Sequence, residues 1–269
     1  MRRIANKKSA GLVFLAVALL AGVAAASPAI NGAKVFERVF NDCPGSTLIT
    51  TTGYPALMSF SDQNAGCVGF ANLHIWRLSA DGGASPAVFN NGDGFSLSAD
   101  LVIEGTGEAE AGIGINPWFS LTDGRVNVRT TDGEIACFGG RMPFWSFTDP
   151  AHGGLHYVKG HPIHIEFIYH PNGLSMASPG TIQYNLVYDG NNYTSGVLNF
   201  DQGNPMEDPP YGLWGILNGA GAGGFMQFFP GQSPPTGLCA ATWTNIVYTP
   251  LDVVGVEQKS WASVKGLYR

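Results

Sequence analysis

The chain has 269 residues, of which 13% are charged and 12% aromatic, with 37 glycines and a formal charge of −6. An acidic balance of this kind excludes bulk electrostatic attraction to nucleic acid or anionic lipid. Sparse charge with abundant glycine and aromatic residues suits short strands joined by tight turns.

The opening stretch "MRRIANKKSAG" carries Arg2, Arg3, Lys7 and Lys8 and no acid, and the apolar "LVFLAVALLAGVAAA" follows it. A basic start, a short apolar run and small residues before Ser27 make a secretory signal peptide over residues 1–26, cleaved after Ala26. The run is too short and too rich in alanine for a stable membrane span. The remainder reads as a single β-sandwich domain over 27–250 and a tail over 251–269. Export makes disulfides the expectation for Cys43, Cys67, Cys137 and Cys239, with three pairings open. Cys43–Cys67 brackets one N-terminal segment and is favoured, which leaves Cys137–Cys239; a buried free thiol is the alternative for Cys137.

In "FSLSADLVIEG", Phe95, Leu97, Ala99, Leu101 and Ile103 alternate with polar residues, which is the period of a half-buried strand. "EAEAGIGINPW" repeats the pattern, setting Ala109, Ala111, Ile113 and Ile115 against Glu108, Glu110, Gly112, Gly114 and Asn116. "GRVNVRTTDGEIACFGG" reads as a hairpin about Asp132-Gly133, with Arg125, Asn127 and Arg129 opposite Val126 and Val128. In "GHPIHIEFIYH", Ile163, Ile165, Phe167 and Tyr169 form one face and His164, Glu166 and His170 the other, with His161 pointing away from His164. Further strands are expected in "TIQYNLVYDG", "YTSGVLNF", "YGLWGIL", "GFMQFF" and "ATWTNIVYTP". The Pro-rich "FDQGNPMEDPPYG" offers Asp201, Asn204, Glu207 and Asp208, oxygen donors suited to calcium, but the run lacks a recognised ligand spacing and an ordinary acidic turn is expected instead. A helical rhythm appears only in "SWASVKGLYR", where Trp261, Val264 and Tyr268 would line one side of a short amphipathic helix capped by Ser260. The fold expected is all-β, an antiparallel sandwich.

The order "FSLSADLVI", "EAGIGI", hairpin, "HIEFIY", "TIQYNLVYDG" and "ATWTNIVYTP" resembles the concanavalin A-like lectin/glucanase sandwiches, including laminin G-like domains, across residues 70–250. The resemblance implies a jelly roll that serves sugar binding, protein binding or glycan cleavage. The jelly-roll glucanases place carboxylates as E-x-D-x-x-E or E-x-D-x-E along one strand. Here "GEAEAG" supplies Glu108 and Glu110, but Ala109 replaces the Asp and Gly112 the third carboxylate, so hydrolysis of that type is not expected. Glu166 or Asp100 would have to complete a pair across strands.

The polar set Glu108, Glu110, Asn116, Arg125, Asn127, Arg129, His164 and Glu166 could line neighbouring strands, with Gly112 and Gly114 leaving room above the backbone. Trp118, Trp145 and Phe144 would add flat apolar surface at the rim, or else plug the sandwich ends. A metal at His164 and Glu166 would need a third ligand, and a solvated strand face with a His–Glu hydrogen bond is expected instead. The function expected is binding of carbohydrate or a cell-surface glycan by an exported bacterial protein, secreted or held at the cell surface. A glycoside hydrolase or polysaccharide lyase on the same scaffold is the alternative, and a structural or adhesive surface protein the second. No cofactor is implied beyond possible calcium.

Overall fold

The computed structural model describes residues 27–69, 71–117, 119, 122–201, 214–228 and 237–251. The expected signal peptide and the tail helix therefore lie outside the described residues, apart from Leu251 at the start of the tail. Two antiparallel seven-stranded sheets make up the fold. The first sheet runs in the order β1 (Gly32–Asn41), β4 (Asn72–Ser79), β13 (Gly221–Phe228), β6 (Ala109–Asn116), β7 (Gly124–Arg129), β8 (Ile135–Gly139) and β9 (Met142–Ser146). The second runs β12 (Asn191–Asn199), β11 (Thr181–Tyr188), β10 (Ile163–His170), β5 (Phe95–Glu104), β14 (Gly237–Pro250), β3 (Leu57–Asn64) and β2 (Thr47–Gly53).

Alternation in β5 and β10 sends Phe95, Leu97, Ala99, Leu101, Ile163, Ile165, Phe167 and Tyr169 into the interior, all fully buried. The inner face of the first sheet answers with Trp76, Ile113, Ile115, Val126 and Val128. Burying each large apolar side chain contributes about 1.5–3 kcal/mol. At the centre the Trp76 and Trp243 rings meet edge to face at 6.0 Å. The Trp243 indole N–H donates to the Gly112 carbonyl at 3.2 Å, joining β14 of the second sheet to β6 of the first. Nearby, His74 and Asp62, both fully buried, close the gap between the sheets at 2.9 Å. The Arg38 N–H donates to His74 Nδ1 at 3.1 Å, so the imidazole is neutral and its Nε2–H donates to Asp62. Burial alone would raise the Asp62 pKa, but hydrogen bonds from His74, Asn72 and Ser46 hold it below the usual carboxylate range.

Three expectations change. "YGLWGIL" forms no strand where it is described: Ile216 and Leu217 are buried in a bend, their N–H groups bound by Tyr169 Oη and Asp123 Oδ2. Strands β1 to β4, which the sequence did not announce, supply an edge and part of each sheet. Cys43 and Cys67 are bonded as expected, but Cys137 and Cys239 are free and buried. Cys239 pairs in register with Asp62 of β3, whereas Cys137 faces Tyr184 of β11. Strands β10 and β5 separate β11 from β14, which carries Cys239, in the second sheet, and a disulfide requires Cα atoms within about 7 Å. Among the described residues no helix is long and apolar enough to cross a membrane.

Burial pushes the Cys239 thiol up to about 12 and raises Cys137 well above the usual thiol range. Both should resist iodoacetamide at pH 8 in the native protein and both should react in denaturant, since the thiolate is the reactive form. Mass spectrometry of peptides checks this; rapid native labelling of either would contradict the packing.

Candidate functional site

The outward positions of the first sheet assemble a row that crosses six strands. Register pairs Lys34 with Arg77, Arg77 with Gly223, Gly223 with Gly114, Gly114 with Arg125 and Arg125 with Phe138. Two cations thus flank a floor of bare backbone. The missing side chains are a geometric requirement. A Cβ on Gly221 would lie 2.6 Å from Arg77 Cδ, and one on Gly114 would lie 2.7 Å from Arg125 Cβ. The arginines occupy the room the glycines leave.

Each guanidinium lies against two aromatic rings. Arg125 Cζ lies 4.1 Å from the Phe138 centroid and 5.0 Å from that of Phe225. Arg77 Cζ lies 4.7 Å from Phe119 and 5.8 Å from Phe36. Such contacts are worth about 0.5–2 kcal/mol each, more when desolvated. Burial lowers both arginine pKa values, yet a guanidinium is so basic that both stay charged at neutral pH. Among the described residues neither forms an ion pair, and Arg77 Nη2, Arg125 Nε and Asn127 Oδ1 are buried without a hydrogen-bond partner. Arg77 is 9% exposed and Asn127 3%.

Glu110, 6% exposed, is the carboxylate of this face. The Asn127 amide donates to its Oε2 at 2.9 Å and the Gln227 amide to its Oε1. Neutral amides donate these hydrogen bonds, while the Glu110 charge also acts on Arg125 and Arg129. Between β1, β4 and β7 opens a cavity of about 160 Å³, lined among others by Arg125, Asn116, Phe119, Phe225 and Gln227.

The set of polar residues expected to line one surface divides between opposite sides of the sandwich. Glu110, Asn116, Arg125, Asn127 and Arg129 belong to the first sheet, His164 and Glu166 to the second. Glu108 precedes β6 and is bound by Thr130 and by Lys159 at 2.8 Å. Arg129 is paired with Asp132 and Glu134 at 2.5 and 2.7 Å. His164 and Glu166 share a face, as alternation requires, but do not bond each other. His164 Nδ1 meets Asp100 at 2.6 Å and Glu166 accepts from Asn185 at 2.8 Å. His161 stands apart, 3.9 Å from Asp189. Trp145, at the β9 edge, stacks on His152 at 3.7 Å; Phe144 is exposed beside a second cavity of about 410 Å³ that Asp132, Glu134 and Asp149 border. Trp118, Asn204, Glu207 and Asp208 lie outside the described residues, and Asp201 is exposed with its N–H bound by the Arg141 carbonyl. Among the described residues no group of three or more His, Cys, Asp or Glu is placed to hold a metal.

Sequence reasoning missed Arg77, Phe36, Phe119, Phe138, Phe225 and Gln227. The available signal was the glycine-rich "GAGG" in β13 beside "AGIG" in β6, which marks strands approached closely by other groups.

No family profile matches the sequence, and no curated protein matches it either. Among solved structures, the alginate lyase from Klebsiella pneumoniae superposes with a TM-score of 0.50 at 11% identity, over 76% of this chain and 85% of that one. The alginate lyase from Corynebacterium sp. gives 0.44 at 10% identity over 82% and 94%. Lectin II from Ulex europaeus gives 0.38 at 10% over 82% and 99%. The fold is the concanavalin A-like β-sandwich. Likeness at this identity establishes architecture only, and function on a concanavalin A-like sandwich must be argued from the site.

Two glycine substitutions test the geometry of the floor. Gly221→Ala brings its methyl against the flexible Arg77 side chain, so urea unfolding should shift by less than about 1 kcal/mol while Arg77 moves. Gly223→Ala instead meets the Trp76 carbonyl and lies 2.8 Å from Arg77 Cα; backbone cannot yield so easily, and a loss of about 1–3 kcal/mol is expected. Equal effects from the two would contradict the described packing.

Proposed function

We propose that the protein binds carbohydrate on the outer face of the first sheet, outside the cytoplasm. The observation that carries this reading is the glycine floor between ring-stacked arginines, with the amides of Asn127 and Gln227 beside it. Sugar rings present hydroxyls to planar polar groups and C–H faces to aromatic rings, and this surface supplies both. The N-terminal signal pattern and the Cys43–Cys67 disulfide support an exported protein.

Binding is favoured over turnover by what faces the floor. Glycoside hydrolysis needs two carboxyl groups about 5–9.5 Å apart across the scissile bond. Among the described residues, Glu110 is the one carboxylate at the outward positions of β4, β13, β6 and β7, and both its oxygens are engaged. Those positions carry no histidine or tyrosine that could act as a base among the described residues.

A glycan array run beside an assay for released reducing ends tests the proposal. Wild type should bind without releasing sugar. Phe138→Ala, which removes one ring against Arg125, should weaken binding about tenfold, the equivalent of an aromatic contact near 1.4 kcal/mol. His164→Ala, on the opposite sheet, should change nothing. Release of sugar that Glu110→Gln abolishes would favour the enzyme, and binding lost with His164→Ala would move the site to the second sheet.

A further inference from the structure

We propose that the ligand is a linear polysaccharide bearing acidic groups, carboxylate or sulfate, laid across the strands so that two of those groups engage Arg77 and Arg125 together. The proposal rests on the carbohydrate reading above and specifies the ligand's charge, direction and minimum length.

The charge follows from how the guanidiniums are held. Aromatic rings cover part of both guanidiniums, and the N–H groups at the edge of each plane are the donors left for a ligand. A guanidinium edge is a planar fork that fits two oxygens of one anion. Arg77 Nη2 and Arg125 Nε are buried without an acceptor, and a buried cation lacking a counter-charge is costly. Glu110, the carboxylate of the same face, acts on Arg125 only at a distance: its oxygens accept from Asn127 and Gln227. A neutral sugar hydroxyl would accept the hydrogen bonds but bring no charge to either cation. An acid group from outside satisfies donor and charge at once.

The direction and length follow from register. Arg77 on β4 and Arg125 on β7 stand in one cross-strand row with Gly223 and Gly114 between them. Three inter-strand steps of about 4.8 Å separate their Cα atoms by about 14 Å. Among the described residues the row positions between the arginines are Gly223 and Gly114, which carry no side chain, so a chain lying on them meets backbone between two cationic ends. Lys34 prolongs the row beyond Arg77. A monosaccharide acid can meet one arginine; a chain that spans both gains the second contact intramolecularly, at a high effective concentration. Because the protein as a whole carries a formal charge of −6, the attraction is local to this face, and added salt weakens it.

Titration calorimetry with three series tests the proposal: galacturonic acid and its oligomers for carboxylate, sulfated oligosaccharides of matched lengths for sulfate, and neutral cello-oligosaccharides. At least one acidic series should bind, at least tenfold more tightly once the oligomer reaches both arginines, and more weakly as sodium chloride rises. Arg77→Gln and Arg125→Gln should each lower affinity for the long acidic oligomer by about 10–100-fold and erase the dependence on length. Arg125→Lys should restore little, since an ammonium lacks the planar fork. Length and salt dependence are read on wild type, so they decide the matter even where a variant folds poorly. Equal binding of neutral and acidic oligomers, unchanged by the arginine variants, would overturn the acidic ligand while leaving carbohydrate binding intact. Silence from both acidic series would also overturn it; the carbohydrate reading falls only if the neutral oligomers and the array are silent as well.

Discussion

Two arginine side chains lie down on the first sheet because the strands beside them end at the backbone. A Cβ at Gly114 or Gly221 would collide with Arg125 or Arg77, and an upright arginine would lose the rings that cover it. The floor in turn depends on what lies beneath. Gly112 offers its carbonyl to the Trp243 indole across the core, and Trp243 packs on Trp76 and Phe60. The bare outer surface and the heavily aromatic interior are therefore two sides of the same strands: tryptophan fills from within the space that small residues leave.

The two outer faces of the sandwich differ in how their polar groups are satisfied. On the second sheet Asp100 accepts from Asn245 at 2.7 Å as well as meeting His164, and Gln183 donates to Asn185, which donates to Glu166. Those groups answer one another within the sheet. On the first sheet buried donors of Arg77 and Arg125 and the Asn127 carbonyl oxygen have no partner. Buried polar atoms are rarely left so, and a cluster of them calls for ordered water or a ligand. This contrast, more than any single residue, distinguishes the proposed binding face from the solvated one.

Alternation made β5, β6, β7, β8, β10 and β11 legible from sequence, and with them the sandwich itself. It failed at β4, whose eight residues are all buried: Leu73 and Ile75 cluster with Phe225 under Phe36 on the outer side while Trp76 and Leu78 fill the core, so no polar face betrays the strand and Arg77 passed unnoticed. Alternation also says which residues share a face but not which sheet that face belongs to, and so His164 and Glu166 were grouped with Glu110 and Arg125. The row from Lys34 to Phe138 joins residues far apart in sequence through register alone, which no local pattern encodes. The even count of cysteines suggested a second disulfide for the same reason: pairing depends on distance, and Cys137 and Cys239 are placed against different strands.

The most direct test of the account is the Nε–H signals of Arg77 and Arg125 in a ¹H–¹⁵N spectrum, assigned by substitution and followed while an acidic oligosaccharide is added. Stacked and shielded by rings in the free protein, both should shift together on binding, with the backbone amides of Gly114 and Gly223 moving in step and those of His164 and Glu166 still. Shifts confined to the second sheet, or saturable binding that leaves both arginine signals in place, would contradict the assignment of the first sheet as the binding face.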